Sequence, residues 1–175
     1  RGITEYHTKK INNHSFYYAV TRDLGFSGLA TRDGRSKITW FKQDDGKIIM
    51  DVADTENLLE EFPVKAGNVL GKAHTVWVFE PLDPIGDVPQ TAATFTTKVN
   101  LGGVIFSSIM NKVAPRFLAQ VSDLRKKFDK SKEIDEVRLQ QTVNIINNEL
   151  QDYSEEEEVA IKEGKDFYMS CKESK

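Results

Sequence analysis

Few residues of this 175-residue chain have the types and spacing that reactive chemistry requires. His7, His14 and His74 are scattered, with no metal-ligand spacing among them. Cys171 lies in a charged terminal helical pattern, far in sequence from any histidine that could activate it as a nucleophile. Carboxylates are numerous but sit in acidic loops or on the polar faces of helical patterns. Gly102-Gly103 lacks the Lys-Ser/Thr that follows in a phosphate-cradling loop. No cofactor, no metal and no enzymatic activity are expected from such a set. Binding chemistry is better represented. Arg32 and Arg35 flank Asp33-Gly34 just before a strand pattern, and the planar guanidinium fork suits a phosphate. In a Gly-rich stretch without periodicity, Thr21–Arg35, they also read as solvated loop arginines. Asn13-His14-Ser15 has the form of a glycosylation acceptor, against which the single cysteine speaks.

Composition sets the frame for these residues. With 39% hydrophobic and 10% aromatic residues the chain can build a packed core, and 29% charged residues give it a soluble surface. A formal net charge of −3 and a pI near 5.7 argue against broad nucleic-acid binding, which needs a basic stripe. One cysteine excludes an internal disulfide and fits a reducing, cytoplasmic compartment. No apolar run approaches the roughly 20 residues of a membrane span. The chain opens at Arg1 without an initiator Met or a signal-peptide pattern, and is read as an excerpt of a longer polypeptide.

Residues 1–100 read as strands and turns. Tyr6–Lys10 and Phe16–Val20 are β-rich runs around a turn at Asn12-Asn13. Ser36–Lys42 and Lys47–Val52 flank Asp45-Gly46, a strong hairpin signal. Ile38 and Trp40 share one face of that pair, with Ile48 and Met50 as their cross-strand partners. Residues 53–68 are acidic and irregular. Ala73–Phe79 is a further strand ended by Glu80-Pro81, and a loop to Pro89 leads into the strand Thr91–Val99. After Gly102-Gly103, the residues Ile105, Ile109, Val113, Phe117, Val121, Leu124 and Phe128 recur at helical spacing as one apolar face. Pro115 lies inside that pattern and predicts a bend near Asn111–Lys112. Ile134, Val137, Leu139, Val143, Ile146 and Leu150 make a second helical stripe. Ser154 caps a last helix with acidic residues in its first turn, and Ala160, Gly164, Phe167 and Cys171 line one face of it. A strand feeding straight into a long helix that must cover a sheet is the outline of an α+β helix-grip fold.

The segment Val99-Asn100-Leu101-Gly102-Gly103, then Val104-Ile105-Phe106, then Asn111, resembles the C-terminal part of a START domain, the steroidogenic-acute-regulatory-protein-related lipid-transfer family. In that family a Val-Asp-Leu-Gly-Gly-like turn precedes a Trp-Ile-Pro-like tripeptide and a helix with an early Asn. Here Asn100 stands for the usual Asp and Phe106 for the usual Pro. The resemblance covers about residues 1–130 and implies a helix-grip (START/Bet v1-like) antiparallel sheet with the long helix packed across it. Residues 131–175 follow as an appended helical extension or interdomain linker, similar to those joining tandem START-like modules. The family's N-terminal helix and first strands precede the segment corresponding to Tyr6–Val20 and are not in this sequence.

By resemblance, a lipid or other hydrophobic small molecule lies between sheet and helix. Candidate lining residues are Trp40, Met50, Trp77, Phe79 and Phe95 from strands and Ile105, Ile109, Met110, Val113 and Phe117 from the helix; plain core packing is the alternative for each. Arg32 and Arg35 are candidates for a polar headgroup. Lys126, Lys127, Lys130 and Lys132 form a basic cluster suited to an anionic membrane surface or to the helix C-terminus. The leading expectation is a non-catalytic lipid-binding module of an intracellular multidomain protein, with neighbouring domains or protein partners contacted through 131–175. A degenerate START-like scaffold for interdomain contacts is the alternative, followed by a cyclase- or hydratase-type enzyme on the same fold.

Overall fold

The computed structural model describes residues 2–86, 88–128, 136–148 and 153–173. Six strands form one sheet in chain order: β1 (Ile3–Lys10), β2 (Ser15–Arg22), β3 (Arg32–Lys42), β4 (Ile48–Asp54), β5 (Val69–Ile85) and β6 (Val88–Asn100). Successive strands are antiparallel, as short connections allow. Where β4 stops, the start of β5 pairs parallel with the start of β3, Asp33 opposite Leu70. Three helices follow: α1 (Ser107–Lys127), α2 (Glu136–Asn148) and α3 (Glu155–Glu173). The expected α+β helix-grip architecture is present.

The Asp45-Gly46 hairpin forms as read. Gln43 N–H donates to Lys47 O at 2.8 Å, and Gly46 takes the left-handed φ of +82° that the turn needs. Trp40 lies opposite Met50, but the partner of Ile38 is Val52 rather than Ile48. Two strand boundaries differ from the sequence expectation. β3 begins at Arg32, inside what reads as loop, because Asp33 is fully buried and gathers three donors there. Thr21 Oγ1, the Lys65 N–H and Asn68 Nδ2 reach it at 2.7, 2.9 and 3.1 Å. β5 continues through Pro81 and Pro84 to Ile85. From Glu80 on it pairs with β6 alone, and an edge strand tolerates proline where a central one does not.

Alternation sends side chains to two faces. The back face carries Ser15, Thr39, Phe41, Ile49, Asp51, Val76 and Val78; α3 covers it, with Ile161, Phe167 and Tyr168 against the buried cluster Phe41, Ile49, Val76 and Val78. Gly164 is the point of closest approach: a Cβ there would lie 2.7 Å from Asp51 Oδ1. Part of the segment expected to be an extension or linker therefore packs on the sheet itself. The front face carries Phe16, Ile38, Trp40, Met50, Trp77, Phe79 and Phe95.

α1 lies on the front, at the end of the sheet where β6 finishes. Its buried Val113 meets Leu24 and Leu101, with Phe26, Leu29, Val99, Ile105, Ile109, Met110 and Phe117 around them. The Gly102-Gly103 turn, φ +65° and +67°, redirects the chain into α1, which starts after Phe106 with no side-chain cap and runs on through Pro115 unbroken. The α2 residues Val137, Leu139 and Val143 are exposed. Ile134 and Leu150 of that expected stripe, with Lys130 and Lys132 of the basic cluster, lie outside the described residues.

Candidate functional site

Register places four large apolar side chains in one row across the front face. Trp40 is opposite Met50, Met50 opposite Trp77, and Trp77 opposite Phe95. The Trp77 and Phe95 rings meet at 4.6 Å between centroids, tilted by 57°, and Phe79 stacks parallel to Trp77 at 6.0 Å. Such aromatic pairs add about 0.5–1.5 kcal/mol beyond area burial. Trp77 itself is 9% exposed, whereas Trp40, Met50, Phe79 and Phe95 remain half-buried. The opposite face differs in kind: Phe41, Ile49, Val76 and Val78 are each at most 3% exposed. The tightly packed core is thus on the back, and the front row keeps apolar surface available.

The helix-borne candidates stand apart from that row. Ile105, Ile109, Met110, Val113 and Phe117 gather at the lower end of the front face, around Leu24 and Leu101. Val113 and Phe117 also line a cavity of about 470 Å³ between α1, the start of β1 and the end of β2. The structure therefore brings the strand candidates together and the helix candidates together, as two adjoining apolar groups on one face.

The arginines correct the loop expectation. Arg32 and Arg35 both lie on β3, 5% and 4% exposed. Arg32 Nε donates to Leu101 O at 2.7 Å, and its Nη groups reach the carbonyls of Ala30 and Gly102. Arg35 Nε donates to Phe62 O at 2.8 Å, and its Nη groups to Gly34 and Pro63 O at 2.8 and 3.1 Å. Both guanidiniums tie loops to the sheet. Arg32 in particular holds the turn from which α1 departs.

Sequence reasoning missed a polar seam under α3. Glu157 is 2% exposed, and its carboxylate accepts from Ser15 Oγ at 2.6 Å and Asn12 Nδ2 at 2.6 Å, with His14 Nε2 at 3.0 Å. It also closes a capping box: Ser154 N–H donates to Glu157 Oε2 at 2.9 Å and the Glu157 N–H to Ser154 Oγ at 3.4 Å. The Ser-x-x-Glu spacing was the signal available. Burial alone would raise the Glu157 pKa; donors from Ser15, Asn12, the Ser154 backbone and His14 outweigh it and hold the carboxyl well below its usual range. Further along, His74 Nε2 lies 2.7 Å from buried Asp51 Oδ1 and stacks on Phe167. The Asp51 hydrogen bond raises the His74 pKa, desolvation opposes it, and Asp54 and Glu163 add to the rise. Lying under α3, these groups fix the helix to the sheet.

A pH dependence follows. Since the folded pKa of His74 is raised, its stabilisation is complete below the ordinary value of 6.5 and is lost as pH climbs through the folded value. Since that of Glu157 is depressed, its stabilisation is complete above the ordinary 4.5 and is lost as pH falls through the folded value. Denaturant midpoints are expected to be highest between these limits, and His74→Gln to flatten the alkaline side only. An unchanged alkaline limb in His74→Gln would exclude the Asp51 pair as its cause.

Among the described residues no cluster of His, Cys, Asp and Glu could hold a metal ion, and no helix is long and apolar enough to cross a membrane.

No protein-family model and no curated protein matches the chain. Solved structures do. The human StAR-related lipid transfer protein 5 is similar at a TM-score of 0.56 and 20% identity, over 74% of this chain and 62% of that one. A STAR-related lipid transfer protein from Xanthomonas axonopodis is similar at a TM-score of 0.50 and 20% identity, over 65% of this chain and 59% of that one. The chain thus spans 59–62% of the length of these two relatives. The likeness shows the fold: the sheet and helix have the START-type arrangement that the Gly102-Gly103 segment resembles.

Proposed function

We propose that this chain is a non-catalytic lipid-binding module that holds a hydrophobic ligand on the front face, between the strands and α1. The observation that carries this is the row Trp40–Met50–Trp77–Phe95 on the face opposite the packed core, in which Trp40, Met50 and Phe95 stay half-buried around a buried Trp77. Apolar side chains left half-buried together on one sheet face suit a hydrophobic ligand, and the fold is shared with proteins named for lipid transfer. Phe79 extends the row and Ile105, Ile109, Met110, Val113 and Phe117 supply the helix side. Arg32 serves this site by holding the Leu101-Gly102 turn from which α1 departs.

The driving force is hydrophobic, about 0.8 kcal/mol per methylene buried. Across a series of neutral alcohols, lengthening the chain by two carbons is expected to tighten binding about tenfold until the face is filled. Titration calorimetry of decanol and dodecanol measures this, alongside native mass spectrometry for a co-purifying lipid. Affinity independent of chain length would refute the site.

The scaffold reading draws on a separate observation: Val137 and Leu139 on α2 are 67% and 46% exposed. That helix is the part suited to a neighbouring domain. The Val137→Ser/Leu139→Ser double variant is expected to leave alcohol binding unchanged.

A further inference from the structure

The cavity beside α1 contains a charge that the fold does not explain. Arg22, last residue of β2, projects on the front face with its guanidinium 5.6 Å from the centre of the Phe117 ring. It is partly withdrawn from water, and burial works against its charged form. Among the described residues no carboxylate pairs with it; a buried acid would ordinarily be its partner. On α1, directly before Phe117, Arg116 donates one Nη1 bond to Leu24 O at 2.7 Å and lies 4.9 Å over Phe26, so most of its five N–H groups are uncommitted. Both arginines line the same cavity of about 470 Å³, whose apolar walls are Ile3, Leu24, Val113 and Phe117. The carboxylate of Asp23, also there, is turned to its own loop, accepting the Gly25 N–H at 2.7 Å. Asp123, which has a partner of its own, lines the far end of the cavity, about 10 Å along α1 from Arg116.

A cavity within the usual size range for small ligands, apolar on its walls and carrying two cations at one side, fits an amphiphile with a negative head. We propose that Arg22 and Arg116 bind the oxyanion head, carboxylate or phosphate, of a single-chain amphiphile whose tail runs along Phe117 and Val113. A guanidinium offers either oxyanion two parallel N–H donors. The assignment rests on the lipid-binding function proposed above and adds the headgroup class to it.

Titration calorimetry of the full chain with decanoate, decyl phosphate and decanol tests it. At least one anion is expected to bind about tenfold tighter than the alcohol, and which one identifies the head. Arg22→Gln is expected to remove that advantage while leaving decanol affinity unchanged, and Arg22→Lys to retain part of it. Arg116→Gln, at a residue exposed enough not to threaten the fold, is expected to weaken the anion alone and decides the matter if Arg22→Gln unfolds. Equal affinity for all three ligands, or variants that weaken all three alike, would overturn the headgroup site and leave the lipid site standing. Binding of none of the three would overturn both.

Discussion

Replacing Glu157 with alanine is expected to destabilise the chain by about 3–5 kcal/mol and to release α3 from the sheet. The magnitude comes from what is left behind. Asn12 Nδ2 and the Ser154 N–H lose their acceptor, and Ser15 Oγ, 1% exposed, is left with Thr39 Oγ1 at 3.1 Å alone. The capping box opens in the same step, leaving the first turn of α3 without its reciprocal bonds. Once the N-terminus of α3 loosens, Ile161 and Phe167 lose their hold on Phe41, Ile49, Val76 and Val78. Glu157→Gln, which keeps the shape but turns two N–H donors toward other donors, is expected to cost less than alanine but still more than 1 kcal/mol, on the order of a buried mismatch. Urea denaturation gives the stability and amide hydrogen exchange locates it. Loss confined to exchange-fast termini, with a midpoint near that of the parent, would mean that α3 contributes little.

Gly102→Ala acts at the other end of the molecule and through the backbone. The residue sits at φ +65°, where a Cβ costs about 1–2 kcal/mol by itself. The same Cβ would be placed 2.5 Å from Leu70 O and 2.9 Å from Val69 Cγ1, and the first of these is main chain that cannot rotate away. Nor can the turn retreat, since Arg32 grips the carbonyls of Leu101 and Gly102. A total of about 3 kcal/mol or more is expected, with α1 displaced from Leu24 and Leu101. Gly103→Ala is the internal control: its φ of +67° is as strained, but a Cβ meets nothing within 4 Å. Its cost is expected to be the conformational part alone. Equal losses in the two variants would show that the contact with β5 is unimportant.

These two sites also mark how much of the molecule was legible. The strands and α1 follow from local alternation and helical spacing, which need no tertiary knowledge, and Gly102-Gly103 with Asn111 carried the fold. Boundaries failed where distant residues decide them. Arg32 and Asp33 read as loop because their partners, Leu101, Lys65 and Asn68, are far along the chain. The packing of α3 was hidden because Glu157 is one of four consecutive glutamates, and only the fold buries that one. The two faces of the sheet could not be told apart either. Trp77, Val78 and Phe79 form a continuous apolar run, so nothing in it says that Val78 enters the sealed core and Trp77 the open row. The pairing of Arg22 with Phe117 joins residues on β2 and α1 that no spacing rule relates.

The central claim, that the front face receives a hydrophobic ligand, can be measured through the two tryptophans of the chain, Trp40 and Trp77, both in the apolar row. Their emission is recorded with vesicles of dioleoyl phosphatidylcholine and with the same lipid brominated along its acyl chains. Bromine quenches only at contact, so the brominated lipid is expected to extinguish emission that the ordinary lipid shifts to shorter wavelength. Identical spectra with both lipids, in a chain whose circular dichroism shows the fold intact, would contradict it.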